Sequence, residues 1–289
     1  MLVDLLAGTA YNPVLMPSPV PTILVFDSGL GGLSVFSEVL KARPDARFVY
    51  AADDAAFPYG RLSEGALVAR VLEVMERLVA IHEPKLVVIA CNTASTLVLP
   101  RLRERFRIPF VGTVPAIKPA ALLSKTGRIT VLATPGTVAR DYTRDLIETY
   151  AAGCKVTLVG SSQLAGYAEA ELAGDPVSDG ALRAELAPCF VDYAAGRTDV
   201  VALACTHYPL LLPRLKALAP WPVTFVDPAP AIARRVVQLL GGPVVGHEAG
   251  EDEAVAVFTD GGGMNAKLRR ALMEIGLPQI GVEGMPLRD

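Results

Sequence analysis

KLVVIACNTAS, residues 85–95, and DVVALACTHYPL, residues 199–210, share one pattern. Each is an apolar, β-branched run that ends in Ala-Cys and passes through small polar residues toward a helix-like segment. A run that is apolar throughout, rather than alternating, is what a strand covered on both faces requires. Cys91 and Cys205 therefore close two buried strands, 114 residues apart. Two such placements in one chain point to a repeated unit.

The neighbouring segments extend the pattern. TILVFD (22–27), RFVYAA (47–52), KLVVIAC (85–91) and IPFVGT (108–113) form one set of predicted strands, and RITVLAT (128–134), KVTLVG (155–160), DVVALAC (199–205) and PVTFVD (222–227) a second. In each set the cysteine follows the third strand. The first-strand motif precedes it by 64 residues from Asp27 to Cys91 and by 71 from Thr134 to Cys205. Amphipathic stretches lie between. In SEGALVARVLEVMERLVAIHE, Leu67, Val71, Leu72, Met75, Leu78 and Val79 recur at helical spacing. The expected fold is α/β, with two similar domains, each a mainly parallel sheet flanked by helices. Open parallel sheets bind ligands beyond the carboxyl ends of their strands, so a shared site is expected in the cleft between the halves. The boundaries read as 1–20 for an N-terminal extension, 21–117 plus 227–289 for a discontinuous first domain, and 118–226 for the second. The proline-rich stretch APWPVTFVDPAP marks the return. The helix after it, with Ile232, Val236, Val237, Leu239 and Leu240, is expected to pack on the first domain.

Composition narrows the function. A chain of 289 residues that is 52% hydrophobic, with net charge −3, is globular and offers no general basic excess for nucleic acid. Four cysteines are too few for a disulfide scaffold. The N-terminus lacks the basic region of a signal peptide, and no apolar run reaches membrane-spanning length. A cytoplasmic setting, a small-molecule partner, and no nucleic acid or membrane are expected.

Cys154 and Cys189 read as buried hydrophobes. Cys91 and Cys205 are different, because hydroxyl, amide or imidazole groups follow each. They admit a catalytic reading, in which a neighbouring charge or helix start tunes the thiol. A zinc reading with His207 as third ligand is the weaker, for lack of a Cys-x-x-Cys or a second histidine cluster. His207, two residues beyond Cys205, could bond the thiol or pass it a proton. DSGLGGLS (27–34) is a tight turn into a helix and lacks the third glycine of a dinucleotide fingerprint. Its free N–H groups suit a carboxylate, and Asp27 could hold an ammonium or tune Cys91. Tyr59 and Gly60 in FPYG could offer backbone groups. Asn92, Thr93, Thr134, Thr137 and Thr206 add short hydrogen-bonding groups at strand ends, which suits a small polar ligand.

These motifs together resemble the glutamate racemase branch of the aspartate/glutamate racemase family. The residues that carry the likeness are Asp27-Ser28-Gly29-Leu30-Gly31-Gly32, Asp53 before Pro58-Tyr59-Gly60, Ala90-Cys91-Asn92-Thr93-Ala94-Ser95, Thr134-Pro135-Gly136-Thr137 and Cys205-Thr206-His207-Tyr208-Pro209-Leu210. They span roughly 22–240 in order. The resemblance implies an isomerase that interconverts L- and D-glutamate with no cofactor and no metal, feeding D-glutamate into peptidoglycan. It implies that Cys91 takes the α-proton of D-glutamate and Cys205 that of L-glutamate, with Asp27 and His207 as proton handlers. It implies substrate binding by Asp27, Ser28, Tyr59, Gly60, Asn92, Thr93, Thr134, Thr137, Thr206 and His207. A homodimer is left open. A relative acting on aspartate or a hydantoin, and a non-catalytic binder of acidic amino acids, are the alternatives. Two departures stand out. Ala52-Asp53-Asp54-Ala55 replaces the usual G-D-T-A. Where many members carry a glutamate after the strand matching KVTLVG, this chain has Ser161, Ser162 and Gln163, with Glu169 further on, and no helper for the second cysteine is assigned.

Overall fold

The computed structural model describes residues 20–194, 196–244 and 254–285. The extension read over 1–20 lies, but for Val20, outside them. The strands are β1 (Thr22–Asp27), β2 (Arg47–Ala52), β3 (Leu86–Ile89), β4 (Phe110–Gly112), β5 (Arg128–Ala133), β6 (Lys155–Gly160), β7 (Asp192–Tyr193), β8 (Gly196–Arg197), β9 (Val200–Ala204), β10 (Thr224–Val226), β11 (Ala254–Phe258) and β12 (Gln279–Val282). The helices are α1 (Leu33–Ala42), α2 (Glu64–His82), α3 (Asn92–Arg105), α4 (Ile117–Leu123), α5 (Pro135–Val138), α6 (Asp141–Tyr150), α7 (Leu164–Ala173), α8 (Asp179–Leu186), α9 (Leu212–Leu218), α10 (Ala229–Leu240) and α11 (Ala266–Ile275).

Two parallel sheets result. One has the order β12-β11-β2-β1-β3-β4 and the other β10-β9-β5-β6. Read from its far edge, the second is β6-β5-β9-β10, the same order as β2-β1-β3-β4. The eight strands read from sequence are all present. The two-by-four division, however, omitted β11 and β12, which widen the first sheet, and the small β7–β8 hairpin.

The first sheet is buried on both faces, which is why its strands are apolar without alternation. Ile23, Val25, Phe48, Tyr50, Leu86 and Val88 face one core with α1, α10 and α11. Leu24, Phe26, Val49, Ala51, Val87 and Ile89 face the other with α2 and α3. On α2 the buried stripe is Leu67, Arg70, Val71, Val74, Met75 and Leu78. Each apolar member contributes about 1.5–3 kcal/mol relative to exposure. Leu72 and Val79, expected on that face, are half-buried at its margins. After β10 the chain returns to the first sheet. Asp227 accepts from Ala229 N–H at 2.9 Å, and α10 packs Ile232, Ala233 and Val236 into the core beside α1. Leu239, read into the packed face, is instead 40% exposed, because the helix turns that position outward.

The site follows from this topology. In the order 2-1-3-4, chain connections leave the first strand in opposite directions, and a crevice opens between the ends of strands 1 and 3. Asp27 ends β1 and Cys91 follows β3. Thr134 follows β5 and Cys205 follows β9.

Candidate active site

Four short contacts bring the two crevices together. Thr93 Oγ1, on the first sheet's side, lies 3.2 Å from Thr134 Oγ1 and 3.4 Å from Thr137 Oγ1 on the other. Ser34 Oγ donates to the Thr206 carbonyl at 2.9 Å. Gly31 N–H lies 3.1 Å from His207 Nε2. Cys91, Cys205, Asp27, Ser28, Asn92, Thr93, Thr137, Thr206 and His207 are all buried along this seam.

On the first side, Cys91 occupies the cap position of α3. Its Sγ lies 3.8 Å from Ser28 Oγ. Burial pushes the thiol pKa far up, and the Asp27 carboxylate adds to the shift. Asp27 is itself raised by burial, although His207 pulls the other way. Its Oδ2 accepts from Gly32 N–H at 2.9 Å. Its Oδ1 has no hydrogen-bond partner among the described residues, and neither amide atom of Asn92 has one. Buried polar atoms without partners cost free energy. Three of them beside one thiol mark a place for a polar ligand.

On the second side the strand stops at Ala204, so Cys205 and His207 do not lie two apart on one strand face. A turn brings them together instead, with His207 helical in backbone and its Nδ1 3.8 Å from Cys205 Sγ. His207 Nε2 lies 2.9 Å from Glu169 Oε1 on α7, and that oxygen also accepts from Leu30 N–H at 2.8 Å. Burial lowers the His207 pKa, but the hydrogen bonds with Cys205 and Glu169 outweigh it and hold the ring well above the usual histidine range. Nε2 cannot accept from Gly31 and donate to Glu169 at once. The raised pKa favours the donating form.

Glu169 is the residue that sequence reading left unassigned. The signal was present in the glycine loop. A Cβ on Gly29 would sit 2.1 Å from Glu169 Oε1, and one on Gly31 would sit 2.2 Å from His207 Nδ1. These glycines are bare because the Glu169–His207 pair fills the space. The loop's N–H groups do meet a carboxylate, but it is the protein's own: Leu30 N–H goes to Glu169 and Gly32 N–H to Asp27.

Tyr59 and Gly60 lie on a bridge between the halves. Tyr59 turns its side chain into the core and donates to Asp53 Oδ2 at 2.6 Å. Phe57 stacks obliquely on His207, with ring centroids 5.5 Å apart. Among the described residues, no group of three His, Cys, Asp or Glu side chains is placed to hold a metal ion. Cys189 is buried in one core of the second domain, whereas Cys154, read as buried, is only half-buried against the other.

Fold and site together define a duplicated parallel α/β protein with one strand-end thiol in each half of a shared crevice. Residues 29–236 match the family model described as Asp/Glu/Hydantoin racemase. A glutamate racemase of Mesorhizobium japonicum is 55% identical over 240 residues, covering 83% of this chain and 91% of its own length. The crystal structure of Escherichia coli glutamate racemase, in complex with L-glutamate and the activator UDP-MurNAc-Ala, is 41% identical. It superposes with a TM-score of 0.83 over 92% of this chain and 99% of that one. Glutamate racemase isoform RacE1 of Bacillus anthracis, at 27% identity and a TM-score of 0.69, covers 92% of this chain and 98% of its own. The chain belongs to the Asp/Glu/hydantoin racemase family.

Proposed function

We propose that this chain interconverts L- and D-glutamate without a cofactor, Cys91 and Cys205 acting as the two acid–base groups. The observation that carries the reading is one strand-end thiol per half, each beside its own proton-handling group. The α-proton of an amino acid is very weakly acidic, and inversion requires its removal from one face and delivery of another to the opposite face. One fixed base does this poorly; two thiols divide the task.

From D-glutamate, the Cys91 thiolate takes the α-proton and the Cys205 thiol delivers its own to the other face. The reverse direction exchanges the roles. Asp27, its carboxyl raised by burial, accepts the proton that Cys91 must lose beforehand. His207, backed by Glu169 and holding its proton, stabilises the Cys205 thiolate and passes a proton back to that sulfur. Ser28, Asn92, Thr93, Thr134, Thr137 and Thr206 supply donors to the substrate carboxylates, and Tyr59 and Gly60 supply backbone groups. Such donors stabilise the carbanion-like transition state most when water is excluded. The identity of close relatives as glutamate racemases, one of them holding L-glutamate, supports glutamate over aspartate or a hydantoin. We assign the domains to 21–117 plus 227–289 and 118–226, and place the activity in the cytoplasm as a source of D-glutamate for peptidoglycan.

The test is L-glutamate incubated in deuterium oxide with metal-free, cofactor-free protein, followed by chiral chromatography and mass spectrometry. Early D-glutamate is expected to carry deuterium at Cα while remaining L-glutamate keeps its hydrogen. Cys91→Ala and Cys205→Ala should each abolish racemisation in both directions. Normal turnover in either variant, or early deuterium in recovered substrate, defeats the reading.

A further inference from the structure

Asp53, at the end of β2, is the meeting point of a buried polar cluster that the mechanism does not use. Its Oδ2 accepts from Tyr59 O–H at 2.6 Å and Arg70 Nε at 2.9 Å. Its Oδ1 accepts from Arg70 Nη2 at 2.5 Å and from Thr259 Oγ1 at 2.8 Å. Arg70 comes from the apolar stripe of α2, and its Nη2 also donates to the Met285 carbonyl at 2.5 Å. Thr259 follows β11. Arg70 from α2 and Thr259 after β11 thus converge on one carboxylate, and the third partner is Tyr59.

A buried ion pair is a weak source of stability, because desolvation offsets most of the attraction. What a fully bonded pair does fix is geometry. Here the geometry belongs to the segment Phe57–Gly60. One end of it lays Phe57 against the His207 ring. At the other end, Gly60 Cα is 3.9 Å from where a Cβ on Gly136 of α5 would stand. The segment is a bridge from the first domain to the second domain's half of the seam, and Tyr59 is its anchor.

We infer that Arg70 and Thr259 are positioning residues: acting through Asp53 on Tyr59, they fix the Phe57–Gly60 bridge against His207 and α5. The inference rests on the proposed racemisation for its kinetic consequence, but not for its structural one. Arg70 is suited to the task because its planar fork bonds a carboxylate at two points, which lysine cannot do.

The test is a double-mutant cycle on Thr259→Val and Tyr59→Phe, with Thr259→Ser as the conservative control and melting curves for each variant. At a temperature where every variant is folded, Thr259→Val is expected to lower kcat/KM about tenfold, a size fit for one lost hydrogen bond to a charged group. Thr259→Ser should stay within about twofold of wild type, because it keeps the hydroxyl. In the Tyr59→Phe background, Thr259→Val should cost less than about threefold, because both changes act on one element. Arg70→Lys should fall with Thr259→Val. A crystal structure of Thr259→Val should show Phe57–Gly60 displaced from its wild-type place. Full additivity in the cycle, or unaltered kcat/KM in Thr259→Val with only a lowered melting temperature, overturns the inference. So does an unmoved bridge, and that result holds even if the wild-type protein fails to racemise glutamate, an outcome that would sink the proposed function instead.

Discussion

His207 touches a thiol, a carboxylate and a backbone amide within one imidazole ring. Its surroundings hold the proton on the ring in the folded protein, whereas the unfolded chain releases it near 6.5. A raised histidine pKa gives stability that is complete below about 6.5 and is lost as pH rises through the folded value. The raised Asp27 carboxyl acts in the same sense, since it too binds its proton more tightly when folded. His207→Gln should therefore be less stable than wild type at pH 6, with the difference shrinking as the medium is made alkaline. Urea unfolding at a series of pH values measures this. A difference that grows with pH would show that the folded ring is neutral. Gly31 gives a second prediction at this scale. Its added Cβ would overlap His207 Nδ1, so Gly31→Ala must displace the ring. Activity should fall about 100-fold, the usual effect of roughly 1 Å of misplacement at a reacting centre. Stopped-time chiral assays would reveal it, and activity near wild type would mean that the ring has room to retreat.

At the scale of elements, strands were the most legible feature. A doubly covered strand must be apolar throughout, and TILVFD, KLVVIAC and DVVALAC say so directly. The cysteines, Asn92 and the threonines were legible for the same reason, since they stand where an apolar run stops. What stayed hidden depended on contacts between distant segments. Glu169 is an ordinary helical glutamate until α7 lies against the glycine loop. Arg70 interrupts the apolar stripe of α2 between Leu67 and Val71, and that interruption was the available sign of a buried charge with a partner. AVAVF (254–258) and QIGV (279–282) are short runs outside the repeated four-strand pattern, so the repeat gives no sign that they widen the first sheet. One close approach between elements is directly testable. A Cβ on Gly112 of β4 would come within 2.2 Å of Leu99 Cδ1 on α3. Gly112→Ala should destabilise the fold by about 1–3 kcal/mol through overpacking. Gly112→Ala with Leu99→Val should lose less than the sum of the two single changes in urea titrations, and simple additivity would mean that the two side chains do not compete for space.

At the scale of the molecule, the unit β11–α11–β12, which has no counterpart in the second sheet among the described residues, reaches across to α7. Asn265 Nδ2 donates to the Ala173 carbonyl at 3.2 Å, and Lys267 Nζ to the Gly174 carbonyl at 3.0 Å. Both carbonyls cap the end of α7, where a cation is favoured. The thiols are buried, so a reagent should reach them faster as the halves part, and this clasp joins the halves. Asn265→Ala with Lys267→Ala should speed iodoacetamide labelling of Cys91 and Cys205 about 3- to 10-fold, the weight of one or two exposed hydrogen bonds. Unchanged labelling would place the resistance elsewhere along the seam.

The shared strand order of the two halves has a thermodynamic consequence. The halves match in topology but not in detail: Asp27 and Ser28 attend one thiol, His207 and Glu169 the other. The enantiomers of glutamate have equal free energy in water, so the proposed reaction has an equilibrium constant of unity. The Haldane relation then requires kcat/KM to be the same in both directions, however unlike the two sides become. Their unlikeness can appear only as a difference in kcat matched by an equal difference in KM. A substitution confined to one side, such as Ser28→Ala or Glu169→Gln, must therefore change kcat/KM for L- and D-glutamate by one common factor, and any asymmetry it introduces must show as kcat and KM changing in step.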